Sequence, residues 1–101
     1  MRPIVLVQMD KARPALVLAR EIARPYLVNV TIAPVTSTVR GLSTEVALGR
    51  RNGLDHDCAA SCDNLTTVPR AAITKQIGWL LDSQEGDLAA AVGAAFDLQI
   101  G

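Results

Sequence analysis

Several common catalytic groupings are absent from this sequence. His56 is the only histidine, so the chain cannot supply two imidazoles as the acid and base of a phosphodiester cleavage. It also lacks a glycine-rich phosphate loop, a His-Glu-x-x-His helix and a Gly-x-Ser-x-Gly elbow. Any phosphate chemistry must therefore rest on arginine, lysine, threonine, serine and carboxylate groups.

Long hydrophobic runs are also absent. The run Ile4–Val7 is too short for the apolar part of a secretory signal. The longest apolar-rich stretch, Leu88–Phe96, has about half of the roughly 20 residues that cross a bilayer. We expect a single domain over residues 1–101, in the cytoplasm and without a membrane contact.

The two cysteines lack the paired spacing of structural zinc sites. Cys58 and Cys62 lie near His56 and Asp57, which leaves a metal site as one interpretation. The favoured interpretation is that both thiols are reduced and serve as small buried apolar groups on a strand. We therefore expect no metal.

Charge is balanced overall but unevenly distributed. The formal net charge is zero, which argues against a general polyanion binder. Residues 1–51 contain eight Lys or Arg against three acidic residues, and residues 52–101 contain two against seven. Such a chain can present a basic face in spite of its neutral sum.

The hydrophobic pattern predicts short strands and one helix. Only three residues are aromatic, so the core must consist of Val, Leu, Ile and Ala. Strands are predicted over Ile4–Met9, Ala15–Leu18, Leu27–Ala33, Thr44–Leu48, a stretch between Asp57 and Val68, and Lys75–Leu81. A helix is predicted over Ser83–Leu98, with an apolar stripe at Leu88, Ala91, Val92, Ala95 and Phe96. Five or six strands closed by a helix indicate a mainly β fold, a small bent sheet or barrel.

Two proline motifs mark candidate functional residues. Pro14 restricts Arg13 to an extended conformation at the start of the second strand. Pro34 is expected either to end regular pairing of the third strand or to mark an edge, which would place Thr36 in the loop that follows. We hypothesise that Arg13 and Thr36 meet at the ends of neighbouring strands and form a phosphate-handling site.

The order of several short motifs resembles one known family. The strings ARPALVL (12–18), TIAPVTSTVRG (31–41), TEVAL (44–48) and CDNLTTV (62–68) together resemble the MazF/PemK family of toxin endoribonucleases. The resemblance implies an SH3-like small barrel of the CcdB/PemK kind with a C-terminal helix, assembled as a homodimer. It also implies a toxin that cleaves RNA at short sequence motifs without a metal ion or other cofactor, and a cognate antitoxin protein that blocks the site.

The resemblance also assigns roles to individual residues. The arginine of the Arg-Pro motif falls on Arg13 and the threonine of the Pro-x-Thr-Ser motif falls on Thr36, and both would be catalytic. A guanidinium and a hydroxyl can together bind the charged oxygens of a phosphodiester transition state. The candidate RNA contacts are Lys11, Ser37, Arg40, Asn64 and Thr66.

Two features depart from the family pattern. The first loop is trimmed to about Gln8–Lys11, so Asp10 and Lys11 are the nearest groups for acid or base work. A shorter loop implies a more open site, so structured mRNA, tRNA or rRNA could be cut as well as a single strand. Thr66 occupies a position that is basic in many relatives, which leaves base recognition there open.

Two other functions remain as alternatives. One is a non-enzymatic toxin that resembles CcdB and poisons DNA gyrase. That class ends in Trp-Gly-Ile, whereas this chain ends Gln99-Ile100-Gly101 and has its tryptophan at Trp79. The other is a barrel that holds RNA or an antitoxin without cutting.

Overall fold

One antiparallel sheet and one helix form the architecture. The computed structural model describes residues 1–99. Within that range the strands are β1 Arg2–Gln8, β2 Ala12–Val17, β3 Asn29–Thr36, β4 Glu45–Leu48, β5 Cys58–Ser61, β6 Thr66–Pro69 and β7 Ile73–Leu80, and the helix α1 is Glu85–Ala95. The predicted mainly β fold with a C-terminal helix is confirmed, with seven described strands instead of five or six.

The strand order gives β3 a central place. The order across the sheet is β4-β5-β3-β2-β1-β7, and β6 pairs with β3 beside this path. All of the pairings are antiparallel. β3 therefore pairs with β2 on one side and with β6 and then β5 on the other.

Alternating residues of the strands bury two apolar clusters on opposite faces of the sheet. Ile4, Leu16 and Ala33 belong to the cluster that also packs against α1 through Leu88 and Ala91. Their sequence neighbours belong to the second cluster, which consists of Val5, Val7, Ala15, Val17, Val30, Ile32 and Val68. The core is aliphatic, as the scarcity of aromatic residues required.

The third strand does not end at Pro34, contrary to prediction. It runs on to Thr36, which is the last residue of β3 and not a loop residue. β3 changes its neighbour at this point, because pairing with β6 ends at Ile32 and pairing with β5 begins at Val35. Neither β6 nor β5 pairs with Pro34 in this gap, so the strand tolerates proline there although it has no N–H group to donate.

The predicted fifth strand is interrupted. A 3-10 turn at Cys62–Asn64 separates β5 from β6, although both lie along the same edge of β3. The pairing register shifts by three residues between them, so the turn acts as a large bulge that bends the edge outward. Asp63 and Asn64 of this turn are exposed.

The helix is shorter than predicted. It ends at Ala95, where the N–H groups of Asp97 and Leu98 donate to the carbonyls of Ala94 and Gly93 at 3.3 and 2.8 Å. Asp97 adopts the left-handed φ of 53° that this Schellman motif requires. Glycine is the usual residue at this position, so the sequence lacks the usual signal for the end of a helix. Phe96 is therefore 58% exposed and does not belong to the packed stripe. Within residues 1–99, no helix has the length and apolarity needed to cross a membrane.

A buried polar cluster anchors the turn between β4 and β5. Asn52 and Gln84 are both almost fully buried, and Asn52 Nδ2 donates to Gln84 Oε1 at 2.6 Å and to the carbonyl of Trp79 at 2.8 Å. Gln84 Oε1 also accepts the N–H of Leu81 at 3.0 Å. The turn is thus joined to β7 and to the start of α1, so its outer residues have a fixed base.

Candidate active site

Arg13 and Thr36 lie at adjacent strand ends. β2 pairs with β3 through Ala15 opposite Pro34 and Val17 opposite Ile32. Continuing this register by two residues brings Arg13 opposite Thr36, and alternation puts both side chains on the same face. The two residues that the sequence singled out, 23 positions apart in the chain, thus stand at neighbouring ends of paired strands.

A tight hairpin orients Arg13. The loop between β1 and β2 has only three residues, Met9–Lys11, and is closed by Met9 N–H donating to the Lys11 carbonyl at 3.1 Å. Asp10 in this loop accepts two hydrogen bonds from the Arg13 guanidinium, each 3.0 Å long, from Nε and from one terminal nitrogen. The pair is solvent-exposed, with 48% of the Arg13 side chain and 70% of the Asp10 side chain accessible.

This pairing shifts both groups toward their charged forms. The hydrogen bonds from Arg13, assisted by the backbone N–H of Lys11, lower the pKa of Asp10 to about 2. The Asp10 carboxylate in turn raises the pKa of Arg13 above its ordinary value. A guanidinium titrates above about 12 even without such a partner, so Arg13 is suited to stabilise charge and not to accept a proton.

A polar cavity opens beside Thr36. It has a volume of about 530 Å³ and lies over the outer face of β3, β5 and β4, where its floor includes Pro34 and Ser61. Of the predicted site residues, it brings together Thr36, Arg40 and Asn64. Arg13 does not line this cavity and lies on the β2 side of Thr36. The candidate site thus has two parts. The first is the exposed Asp10–Arg13 pair at the start of β2, here called the charged edge, and the second is the neighbouring cavity, which is large enough for a nucleotide.

Two carboxylates in this cavity were not identified from the sequence. Glu45 accepts the backbone N–H groups of Arg40 and Leu42, both at 3.1 Å, and Asp63 accepts the hydroxyl of Thr44 at 2.6 Å. They fix the segment that follows β3 against the sheet. Glu45 stands in the TEVAL string and Asp63 in the CDNLTTV string, but only the folded chain shows that these strings face one cavity.

Thr36 itself is held by the segment that follows it. Its Oγ1 accepts the N–H of Thr38 at 3.1 Å, a short-range turn contact typical of threonine. This bond occupies one lone pair and leaves the hydroxyl hydrogen free to be donated. Thr36 can therefore act as a hydrogen-bond donor toward a charged oxygen.

Ser37 faces a different group. Its Oγ is 3.0 Å from His56 Nε2, and the other ring nitrogen of His56 contacts the Asp55 carboxylate. Hydrogen bonding and the charge of His56 lower the pKa of Asp55. All three side chains are exposed, so the chain of contacts ties the end of β3 to the turn that precedes β5.

The remaining predicted contacts lie outside the cavity. Lys11 is exposed in the first hairpin, next to the Asp10–Arg13 pair. Thr66 is exposed at the start of β6 and donates its hydroxyl hydrogen to the Asn64 carbonyl at 3.0 Å. Both side chains are exposed to solvent.

The cysteines belong to the core. Cys58 and Cys62 are buried in the cluster beneath α1, both as free thiols, and burial raises the pKa of each. Cys58 opens β5, whereas Cys62 starts the 3-10 turn after it, so only Cys58 occupies a strand. Among the described residues, no three His, Cys, Asp or Glu side chains group as metal ligands.

Comparison with protein families identifies the chain. A family model described as the PemK-like, MazF-like toxin of type II toxin–antitoxin systems matches residues 3–96. The chain belongs to this family. The predicted family is thereby confirmed, and the MazF-like strings quoted from the sequence lie within the matched range.

Curated relatives place the chain within the MazF toxins more closely. It is 57% identical to endoribonuclease MazF3 of Mycobacterium tuberculosis over 98 residues, which cover 97% of this chain and 95% of the relative. It is 33% identical to the probable endoribonuclease MazF5 of Mycobacterium tuberculosis over 86 residues, which cover 84% of this chain and 79% of the relative. The predicted enzyme class, an endoribonuclease, is confirmed by these relationships.

Solved structures of MazF toxins share the fold. The Mycobacterium tuberculosis toxin MazF-mt6 superimposes with a TM-score of 0.94 at 56% identity, over 98% of this chain and all of that one. A mycobacterial endoribonuclease in complex with its cognate antitoxin superimposes with a TM-score of 0.84 over 98% of this chain and 95% of that one, at 19% identity. At that level of identity the second likeness concerns the fold alone.

Proposed function

We propose that this MazF-like toxin cuts RNA at short sequence motifs by attack of a ribose 2′-oxygen on the adjacent phosphorus, with Arg13 and Thr36 stabilising the transition state. The observation that supports the proposal is the antiparallel β2–β3 register, which, extended by two residues, would put Arg13 opposite Thr36, beside a cavity that Thr36 lines. In this reaction the bond from phosphorus to the 5′-oxygen breaks, which leaves a 2′,3′-cyclic phosphate and a 5′-hydroxyl end. Negative charge builds on the non-bridging oxygens, where these two donors can bind it.

Asp10 is the proposed proton acceptor for the 2′-hydroxyl. Its low pKa makes it a weak base while both of its oxygens are bound to Arg13. A phosphate that takes over part of the guanidinium would release one carboxylate oxygen and raise the pKa of Asp10, because hydrogen bonds to the charged form are lost. Substrate binding would thus activate the base, and the adjacent Lys11 ammonium could donate a proton to the leaving 5′-oxygen or bind a flanking phosphate.

The cavity is the proposed recess for a base next to the cut. Asn64, Ser61 and the two carboxylates present donors and acceptors there, and base edges are read by such groups when a strand is unpaired. Arg40 would bind a phosphate at the rim. Sequence specificity then comes from the cavity and cleavage from the charged edge, so the two properties can be separated by mutation.

Cleavage assays with matched variants test the proposal. Purified protein is incubated with total RNA in EDTA, and new 5′-hydroxyl ends are mapped; the proposal expects cuts at a short motif. Arg13→Ala and Thr36→Ala should each reduce the rate by about 10²–10³, as expected for loss of one transition-state donor, whereas Thr36→Ser should retain activity. A fully active Arg13→Ala protein, or RNA that is bound but never cut, would overturn the mechanism.

The short first loop is the basis of a proposal about substrates. A three-residue connection places no long flap over Arg13, so a looped region of folded RNA could reach the site as well as a free strand. Matched hairpin and unstructured RNAs with the same motif should be cut at rates within about tenfold of each other. Strict preference for the unstructured RNA would contradict this expectation.

We also propose that the toxin forms a homodimer and is inhibited by a cognate antitoxin protein, both in the cytoplasm. Apolar side chains available for such partners include Ile22, Tyr26 and Val28, which are 78–85% exposed in the connection between β2 and β3. Light scattering at micromolar concentration should give twice the chain mass. A monomer at that concentration would contradict the dimer.

A further inference from the structure

A second cavity lies on the same face of the sheet as the first. It has a volume of about 420 Å³, with Ala47 of β4 in its floor. Thr36 pairs with Ala59, and Ala59 pairs with Ala47, so these three residues form one row across β3, β5 and β4. Two strand spacings separate the ends of the row, about 10 Å, which places the second cavity close to Thr36.

The segment that follows β3 separates the two cavities. Thr38, Arg40 and Leu42 line the first cavity, whereas Val39 lines the second. Ala59, in the middle of the row, is fully buried. The segment thus contributes residues to both cavities, so the two cavities are neighbours on this face of the sheet.

Two arginines line the second cavity. Arg50 and Arg51 are exposed on the 3-10 turn after β4, and neither forms a salt bridge within residues 1–99. Asp57 is the acidic residue of the lining, and Arg50 also acts on Asp55 at longer range, where it contributes to that residue's lowered pKa. The cavity thus combines two cations with an apolar floor.

The turn that carries these arginines is rigidly anchored. Asn52, the next residue, is buried and bonded to Gln84 and to the Trp79 carbonyl. Gly53 then takes a φ of +86°, and its N–H donates to the Arg50 carbonyl at 3.0 Å. A cationic turn on a fixed base can hold a phosphate with little loss of backbone entropy.

We propose that the second cavity binds a nucleotide of the RNA strand that flanks the cut, with Arg50 and Arg51 on its phosphate. This inference rests on the proposed function. Arginine matches phosphate geometry, and the apolar surface of Val39 and Ala47 suits the face of a base. Its closeness to the first cavity, with which it shares the segment after β3, favours RNA over an acidic protein segment as the occupant.

Kinetics with long and short RNA test the proposal. The double variant Arg50→Gln/Arg51→Gln is compared with Arg20→Gln, an exposed arginine of the β2–β3 connection that lines neither of these two cavities. On an oligonucleotide extended on both sides of a mapped cut, the double variant should raise KM about tenfold with kcat unchanged. The dependence of log KM on log salt should become shallower by about 0.7 for each lost phosphate contact, and Arg20→Gln should change neither quantity.

Binding measurements separate this inference from the proposed function. In the Arg13→Ala background, fluorescence anisotropy should show weaker binding of the long RNA when Arg50 and Arg51 are replaced, and equal binding of an RNA cut back to the motif. Wild-type KM and salt dependence in the double variant would overturn the inference while cleavage itself stands. Unchanged RNA binding with lost antitoxin affinity would overturn it in favour of a protein ligand. Absence of any cleavage by the wild type would instead count against the proposed function.

Discussion

The polar cluster around Asn52 and Gln84 is buried, whereas the cluster of Asp10, Arg13 and Thr36 is more accessible to solvent. Both clusters consist of hydrogen-bonding side chains, but they differ in whether those groups remain accessible to a ligand. In the buried cluster, amide groups bond to one another and to backbone atoms, so no donor or acceptor is left for a ligand. In the exposed cluster, the Arg13 guanidinium is paired, among residues 1–99, with one accessible carboxylate, which a phosphate can displace. The buried cluster therefore contributes to the stability of the fold. The exposed cluster can bind a ligand such as a phosphate.

The largest expected effect tests the close packing around the buried cluster. A Cβ at Gly78 would lie 2.0 Å from the Asn52 carbonyl oxygen, which is a backbone atom and cannot rotate away. Gly78→Ala should therefore lower the free energy of unfolding by more than about 4 kcal/mol or prevent folding, as measured by chemical denaturation. Gly86→Ala is the matched control, because nothing lies within 4 Å of its Cβ and alanine favours a helix by up to about 1 kcal/mol. Equal stability of the two variants would show that the approach of β7 to this turn is unimportant.

A pair of substitutions separates stability from activity. Gln84→Ala leaves the Leu81 N–H and one Asn52 N–H without their acceptor, at a cost of about 1–3 kcal/mol for each buried group. Its melting temperature should fall while the folded protein retains the wild-type kcat for RNA cleavage. Arg13→Ala should do the reverse, because solvent-exposed ion pairs contribute little to stability.

The control for this pair is Gln99→Ala, an exposed glutamine after the helix, which should leave both melting and cleavage unchanged. Loss of activity in folded Gln84→Ala protein would mean that the buried cluster also positions the catalytic groups. The two clusters could then no longer be treated as independent.

The smallest effect concerns the titration of the exposed cluster. The folded-state pKa of Asp10 lies at about 2, below the ordinary 3.8, so the pairing with Arg13 stabilises the fold fully above pH 3.8 and is lost as the pH falls through about 2. Carboxyl carbon shifts in NMR should give a midpoint near 2 for Asp10 in the wild type. Arg13→Ala should return that midpoint toward 3.8, and a wild-type midpoint already near 3.8 would show that the pair does not persist in solution.

Sequence patterns predicted most of the strands because their signals are local. Period-two alternation located β3 and β4, and Pro14 fixed the extended start of β2. The end of α1 was missed because Asp97, a residue without the usual glycine signal, adopts the left-handed conformation. The prediction that Thr36 lies in a loop was wrong because β3 accommodates Pro34. It can do so because β6 stops pairing before Pro34 and β5 starts pairing after it, and this arrangement of strands cannot be read from the local sequence.

The family and the two proposed catalytic residues could be inferred from the sequence alone, since short motifs in a fixed order carry that information along the chain. Only the tertiary structure showed that Glu45 and Asp63 share a cavity with Thr36, and that Asp10 accepts two hydrogen bonds from the Arg13 guanidinium. The reason is geometric: antiparallel pairing joins positions far apart in the chain, and the three-residue shift between β5 and β6 cannot be read from either strand by itself. The aliphatic composition determined what fills the core, and the register of β3 decided what surrounds the site.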